Sequence, residues 1–272
     1  DTRALTRHLR QFGALRGVVS TVDLNPASLR QKALAVPTTS EQDLVAEVTC
    51  QQPYEWTEML GEEWQSTNRK RQIANGKSQF AKRALHVVAY DCGIKRNILR
   101  QLVGAGCRVT VVPAHTPAQE ALALDPDGVF LANGPGDPEN VPYMVEAVRS
   151  LLGRVPIFGI CLGHQVLGLA LGGKKHKLKF GHHGSNHPVK DLRSGQIAIT
   201  AQNHNFIIDA DSLSGEIEVT HLNLYDGTLE GMKHRSLPAF GVQYHPEAAP
   251  GPYDADPLFD EFVDLMRGVR RV

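Results

Sequence analysis

Cys161 sits in "GICLG", with Gly159 and Gly163 two residues away on either side. The apolar run "VPIFGI" precedes it and the helix-like "LGHQVLGLALGG" follows. The pattern has the shape of the G-x-S-x-G nucleophile elbow, with sulfur in place of oxygen. Such a turn exposes the reactive atom. Glycines at both flanks remove Cβ atoms that would meet neighbouring chain. The helix that follows points its N-terminus at the thiol, and its partial positive charge favours thiolate. The N–H of Leu162 is then placed to receive a developing oxyanion. A buried structural cysteine is the plain alternative; two glycines at this spacing favour a nucleophile.

A thiolate needs a base. Among 12 histidines, His245 ends the apolar run "AFGVQYH", and Glu247 follows two residues later. Residues i and i+2 face the same way on extended chain. The carboxylate can therefore take one imidazole N–H and leave the other nitrogen for sulfur. His164 lies too close after the cysteine to swing back. His204, in "TAQNHNF", reads as a pocket or structural residue. His182, His183 and His187, in "FGHHGSNHPVKD", lack a clear fourth ligand, so no metal site is expected from them. A second glycine-rich stretch, "LANGPGDPEN", also follows a strand end, and Gly134 and Gly136 allow close backbone approach to a ligand. No G-K-[ST] follows these glycines, so they do not form a phosphate loop.

The elements that must position these groups are legible from Leu85 onward. "LHVVAYD", "CRVTVVPA", "DGVFLAN" and "VPIFGI" read as strands, each followed by a helical stretch. Four strand–helix units predict an α/β domain with a mostly parallel sheet flanked by helices. Ligands of such sheets bind outside the carboxyl ends of the strands, where Cys161 lies. The second half is strand-rich, and "PLFDEFVDLMRGV" reads as a closing amphipathic helix. Residues 1–60 read as short helices. Asp1 or Thr2 caps the first and Gly13 ends it. Asn25-Pro26 opens the second, and Ser40 with Asp43 forms a capping box before Leu44. The polar stretch 61–84 reads as a linker, with the main domain at 85–272.

Lys plus Arg equals Asp plus Glu at 29 each, a balance that offers no field for nucleic acid or anionic membrane. No apolar run approaches the ~20 residues of a membrane span, and the start is no signal peptide. It also lacks Met, so the chain is expected to be a fragment of a longer protein. The four scattered cysteines form no C-x-x-C pair and point to a reducing cytoplasm.

Together, "FGICLGHQ", "NGPGDP" and "GVQYHPEA" resemble the triad-type class I glutamine amidotransferases, a flavodoxin-like α/β fold. "YDCGIKRNILRQL", "KFGHHGSNHPV", "TAQNHNF", "DGTLEG", "HPEAAPGPYDADPLFD" and "DTRALTRHLR" narrow the resemblance to the small-subunit family of carbamoyl-phosphate synthases. The resemblance implies that residues 1–60 are a partial, truncated N-terminal domain. It implies glutamine hydrolysis through a thioester on Cys161, with His245 carrying protons and Glu247 holding it. Leu162 and Gly134 would supply the oxyanion hole, and Gly136, Gln165, Asn203, Asn205 and Phe206 the glutamine pocket. Ammonia would pass to a large synthetase subunit. ATP, bicarbonate and magnesium would bind there, with no cofactor in this chain, and the carbamoyl phosphate would feed pyrimidine and arginine synthesis. Asn205 stands where the family usually has glycine; asparagine tolerates positive φ, so the backbone path is expected to persist. Cys92 replaces a common aromatic, with only a packing adjustment expected. The alternatives are another class I amidotransferase (for GMP, CTP or anthranilate), a non-catalytic scaffold on the same fold, and a cysteine peptidase of related architecture.

Overall fold

A computed structural model of the chain describes residues 1–59, 61, 84–249, 251–252 and 257–269. The expected linker 61–84 therefore lies, apart from its two ends, outside the described residues. The apolar runs become the centre of the sheet. β2 (Leu85–Asp91) is buried along its whole length, as expected for a strand covered on both faces. β3 (Cys107–Pro113), β4 (Gly128–Leu131), β5 (Ile157–Ile160) and β10 (Ala239–Val242) join it in parallel. Their spatial order is β3-β2-β4-β5-β10. Numbered along the chain, this is the 2-1-3-4-5 order of flavodoxin-like sheets. The connecting helices are α4 (Arg96–Gly104), α5 (Ala118–Ala123), α6 (Pro142–Leu151) and α7 (Leu162–Ala170).

This order brings three sequence-distant strand ends together. β5 lies between β4 and β10, with Gly159 opposite Leu131 and Ile160 opposite Val242. The segments after β4, β5 and β10 carry Gly134, Cys161 and His245, so all three emerge side by side at one sheet edge. The closing helix, α8 (Pro257–Val269), lays Phe259 and Phe262 against Phe158, which stacks on Phe240 at 4.4 Å between ring centres. Aromatic contacts of this kind add ~0.5–1.5 kcal/mol beyond area burial.

Beyond β10 the sheet continues antiparallel through β9 (Leu229–His234), β8 (Ile217–Asn223), β6 (Lys175–Asp191) and β7 (Ile197–Ile208). The histidine-rich stretch lies within β6, a 17-residue strand, rather than in a loop. Its pairing with β7 shifts register twice, between Lys177 and His182 and between Gly184 and His187.

In the first 60 residues, α1 (Thr2–Phe12) is capped by Asp1, whose side chain accepts from the Ala4 N–H. It ends at Gly13, φ +88. Asn25 caps α2 (Pro26–Ala35). The expected Ser40–Asp43 box does not form. α3 (Val45–Val48) begins at Leu44, and Asp43 alone accepts from the Ala46 N–H at 3.1 Å. This segment is tied to the main sheet. β1 (Tyr54–Trp56) pairs antiparallel with β3, Val45 is buried, and Tyr143 donates to Asp43 at 3.0 Å. The sheet thus crosses the sequence division drawn at residue 60.

Candidate active site

Cys161 forms the corner between β5 and α7 with φ +54 and ψ −105, a conformation that non-glycine residues adopt only under constraint. Its own N–H donates to the Val242 carbonyl at 2.9 Å, and its carbonyl accepts from the Gln165 N–H at 3.0 Å. The flanking glycines have concrete reasons. A Cβ on Gly159 would stand 2.6 Å from the Gly163 backbone, and one on Gly163 would stand 2.1 Å from the Leu131 carbonyl oxygen. The helix can start this close to β4 and β5 only because both side chains are absent. Leu162 is the first helical residue, where an N–H has no acceptor within its own helix.

The loop after β4 presses on the same corner. A Cβ on Gly134 would meet the Cys92 carbonyl oxygen at 2.3 Å and Leu162 Cδ2 at 2.8 Å. Gly136 has φ +91, a conformation that favours glycine. Cys92, buried completely, brings its sulfur to 3.3 Å from Met144 Sδ.

The chain after β10 is hooked onto β7 by the His245 N–H, which donates to Ala201 O at 2.9 Å. His245 Nδ1 lies 2.8 Å from Glu247 Oε1, and the ring lines the same cleft as the Cys161 sulfur. With Nδ1 given to the carboxylate, Nε2 is the nitrogen left for sulfur. Glu247 is fully buried and takes a second cation, Lys95 Nζ, at 2.8 Å. Asn97 donates to the Glu247 carbonyl and Lys95 to the Ala248 carbonyl. Burial works against a charged imidazole. The Glu247 carboxylate and the Cys161 sulfur outweigh it and lift His245 to about 10. Burial likewise opposes the Glu247 charge, but His245 and Lys95 hold its carboxyl below the usual range. When the sulfur is thiolate, two anions and two cations alternate, which compensates the cost of burying each.

A cleft of about 620 Å³ opens onto this group. Cys161, His245, Gly134, Gly136, Gln165, Asn203, Asn205 and Phe206 all line it, so the sequence-selected residues converge. Leu162 and Glu247 stand behind its wall. Gln165 is fixed by hydrogen bonds from its Nε2 to Phe206 O at 2.6 Å and Gln243 Oε1 at 3.1 Å. Asn205 is not among the residues with positive φ. It lies within β7 at the register shift between Lys177 and His182 of its partner strand, so the left-handed tolerance invoked for it is not used. Burial drives His204 to about 3 and His164 to about 4. Sequence reasoning missed Lys95, Thr39, Leu44 and Ser185, which also line the cleft. Lys95 could have been found from its place just past the β2 carboxyl end, on the same sheet edge as the sulfur.

Residues 88–265 match the family model for class-I glutamine amidotransferases. The chain is 55% identical to the carbamoyl phosphate synthase small chain of Syntrophotalea carbinolica, over 100% of this chain and 70% of that relative. It is 51% identical to the small chain of Salmonella typhi, covering 99% and 69%, and 50% identical to the chloroplastic small chain of Arabidopsis thaliana, covering 98% and 60%. A solved structure from Thermoplasma acidophilum, described as part of a GMP synthase, shares the fold at a TM-score of 0.61 and 23% identity. It covers 69% of this chain and 96% of its own. No helix among the described residues is long and apolar enough to cross a membrane. The chain belongs to the class-I glutamine amidotransferases and, within them, to the carbamoyl phosphate synthase small chains.

Proposed function

We propose that the chain hydrolyses glutamine to glutamate and ammonia at Cys161, and that the ammonia goes to a large synthetase subunit for carbamoyl phosphate synthesis. The observation that carries this reading is the buried Glu247–His245 pair facing the same cleft as Cys161. The Cys161 thiolate attacks the side-chain amide carbon of glutamine. The oxyanion is received by the N–H groups of Leu162 and Gly134. His245, charged beside Glu247, gives its proton to the leaving nitrogen, and ammonia departs from a γ-glutamyl thioester. His245, now neutral, takes a proton from water, which attacks the thioester and releases glutamate. Gly136, Gln165, Asn203, Asn205 and Phe206 hold the substrate. ATP, bicarbonate and magnesium act on the large partner, and the pathway served is that of pyrimidines and arginine. Four free cysteines fit a reducing cytoplasm.

The test pairs Cys161→Ala with the large subunit. Glutamine-dependent synthesis should vanish while free ammonia still supports it, and mass spectrometry of the wild type should place a glutamyl adduct on Cys161. Glutamine-dependent turnover that survives the substitution removes the nucleophile assignment.

A further inference from the structure

Four buried side chains on β6, β7 and β9 meet on the antiparallel side of the sheet: His182, Gln202, His204 and Glu230. Their hydrogens can be assigned one by one. His204 Nδ1 lies 2.9 Å from the Phe206 carbonyl oxygen, which only accepts. Nδ1 therefore carries the hydrogen of the neutral ring, and Nε2 presents a lone pair. That lone pair faces Gln202 Oε1, another acceptor, at 2.9 Å.

Turning the Gln202 amide over gives no relief. Its Nε2 donates to Glu230 Oε2 at 2.9 Å and to Thr200 Oγ1 at 3.1 Å. The Thr200 hydroxyl hydrogen is already given to the His187 carbonyl at 2.9 Å. A turned amide would set its oxygen against a carboxylate and against a hydroxyl with no hydrogen left. His182 Nε2 pairs with Asp226 Oδ2 at 2.8 Å, which leaves buried Nδ1 with no hydrogen-bond partner. Nδ1 stands 3.5 Å from Glu230 Oε1, beyond a normal N–H···O bond.

The geometry points to a binding site for one divalent transition-metal ion of the zinc or cobalt class, held by His182 Nδ1, His204 Nε2, Glu230 and Gln202 Oε1. Ligand atoms of His182, His204 and Glu230 lie within 4.8 Å of one another. Two donors each about 2.1 Å from a shared tetrahedral ion stand roughly 3.4 Å apart, so the His204–Gln202 contact of 2.9 Å has to open by about half an ångström to admit one. The outer partners are those of metal-bound histidines: a backbone carbonyl on His204 and a carboxylate on His182. Two imidazoles with a carboxylate favour zinc, cobalt or nickel over calcium or magnesium. The spacing of His182, His183 and His187 gave no such site, and only His182 of that group belongs to it. Gln202 and His204 also line the cleft, so a bound ion would stiffen its wall without touching the reacting sulfur.

Cobalt(II) is the probe, added to the Cys161→Ser protein so that no thiolate competes for it. The expected result is one bound equivalent with the visible d–d absorption of nitrogen and oxygen ligation, lost in His182→Asn and Glu230→Gln. Asp226 is exposed; besides orienting His182 it accepts from the Thr228 N–H and hydroxyl through Oδ1, bonds that an asparagine oxygen keeps. Asp226→Asn should weaken binding by about 10–100-fold with the metal-free thermal midpoint unchanged, and this variant decides the matter if the buried ones fail to fold. The assignment is overturned by an absence of stoichiometric binding, by cobalt that is lost only when His245 is replaced, or by binding that Asp226→Asn leaves unchanged.

Discussion

Gly163→Ala tests whether close approach of α7 to the sheet is what builds the elbow. The new Cβ would stand 2.1 Å from the Leu131 carbonyl oxygen, 2.6 Å from its carbonyl carbon and 2.7 Å from its Cβ. Backbone atoms cannot swing aside as side chains do, so the start of the helix must retreat by about 1 Å to reach tolerable contact. That retreat stretches the bond from the Gly163 N–H to Ala132 O, now 3.0 Å. Overpacking costs ~1–3 kcal/mol and the lost hydrogen bond ~1 kcal/mol. A total of about 2–4 kcal/mol lowers the thermal midpoint by roughly 5–15 °C at this chain size. Leu162 N–H and the sulfur travel with the helix, and a misplacement of about 1 Å costs ~10²-fold in rate. Calorimetry and glutamate release, measured on the complex with the large subunit, read the two effects. Gly268→Ala in α8 is the control, since its Cβ meets nothing within 4 Å; it should leave the midpoint unchanged or raise it by up to roughly 4 °C, the ~1 kcal/mol of helix propensity. If Gly163→Ala kept its rate within about threefold and its midpoint within about 2 °C, steric exclusion would not be the reason for the glycine.

The remaining predictions concern charge. His245 is raised to about 10, so its charged form persists until pH climbs through that value, and the limb of glutaminase kcat/KM that His245 sets should fall at alkaline pH. Glu247→Gln removes the charge that opposes deprotonation most strongly, and the alkaline limb should move to lower pH; an unmoved limb in a folded variant would mean that another group sets it. Lys95→Met should lower kcat/KM by roughly 10-fold, about 1–2 kcal/mol after allowing for the partial exposure of the lysine, as steady-state kinetics at low salt would show. His164 is buried with both ring nitrogens lacking partners and held down to about 4. The unfolded chain takes that proton near 6.5 and the folded chain only near 4, so stability is full above 6.5 and falls as pH drops through the window, by up to about 3 kcal/mol. His164→Met should flatten that part of the urea-denaturation profile.

Much of the site was legible because its chemistry is written in local spacings. Gly159 and Gly163 bracket Cys161 since the backbones they touch, Gly163 and Leu131, follow from how a strand feeds a helix onto its neighbour. His245 and Glu247 meet as their spacing suggested but not on extended chain: β10 ends at Val242, and the pair sits on a turn in which the Ala248 N–H donates to His245 O at 3.4 Å. The parallel sheet followed from uninterrupted apolar runs such as Leu85–Asp91, buried on both faces. Lys95 was legible as a residue of the right sheet edge but its pairing was not: Glu247 lies 152 positions further on, and only the arrangement of loops at that edge joins them. The failed capping box shows the limit at a smaller scale, since Asp43 caps α3 unaided while its other oxygen holds Tyr143.

The antiparallel half was the least readable, for a physical reason that bears on the metal site. In a ribbon, a slip of one residue moves every side chain to the opposite face. β6 and β7 shift register twice, on either side of His182–Gly184. Those irregularities decide which histidines of "FGHHGSNHPV" turn inward, and no spacing rule predicts them. They bring His182 opposite His204 in register while Glu230 arrives from β9, so a donor set that looked incomplete in sequence is completed by two other strands. Buried polar groups without a satisfying hydrogen-bond partner are costly. Their persistence at His182 Nδ1 and at the His204–Gln202 contact is accounted for when a cation supplies the missing positive charge, and that is the quantity the cobalt titration measures.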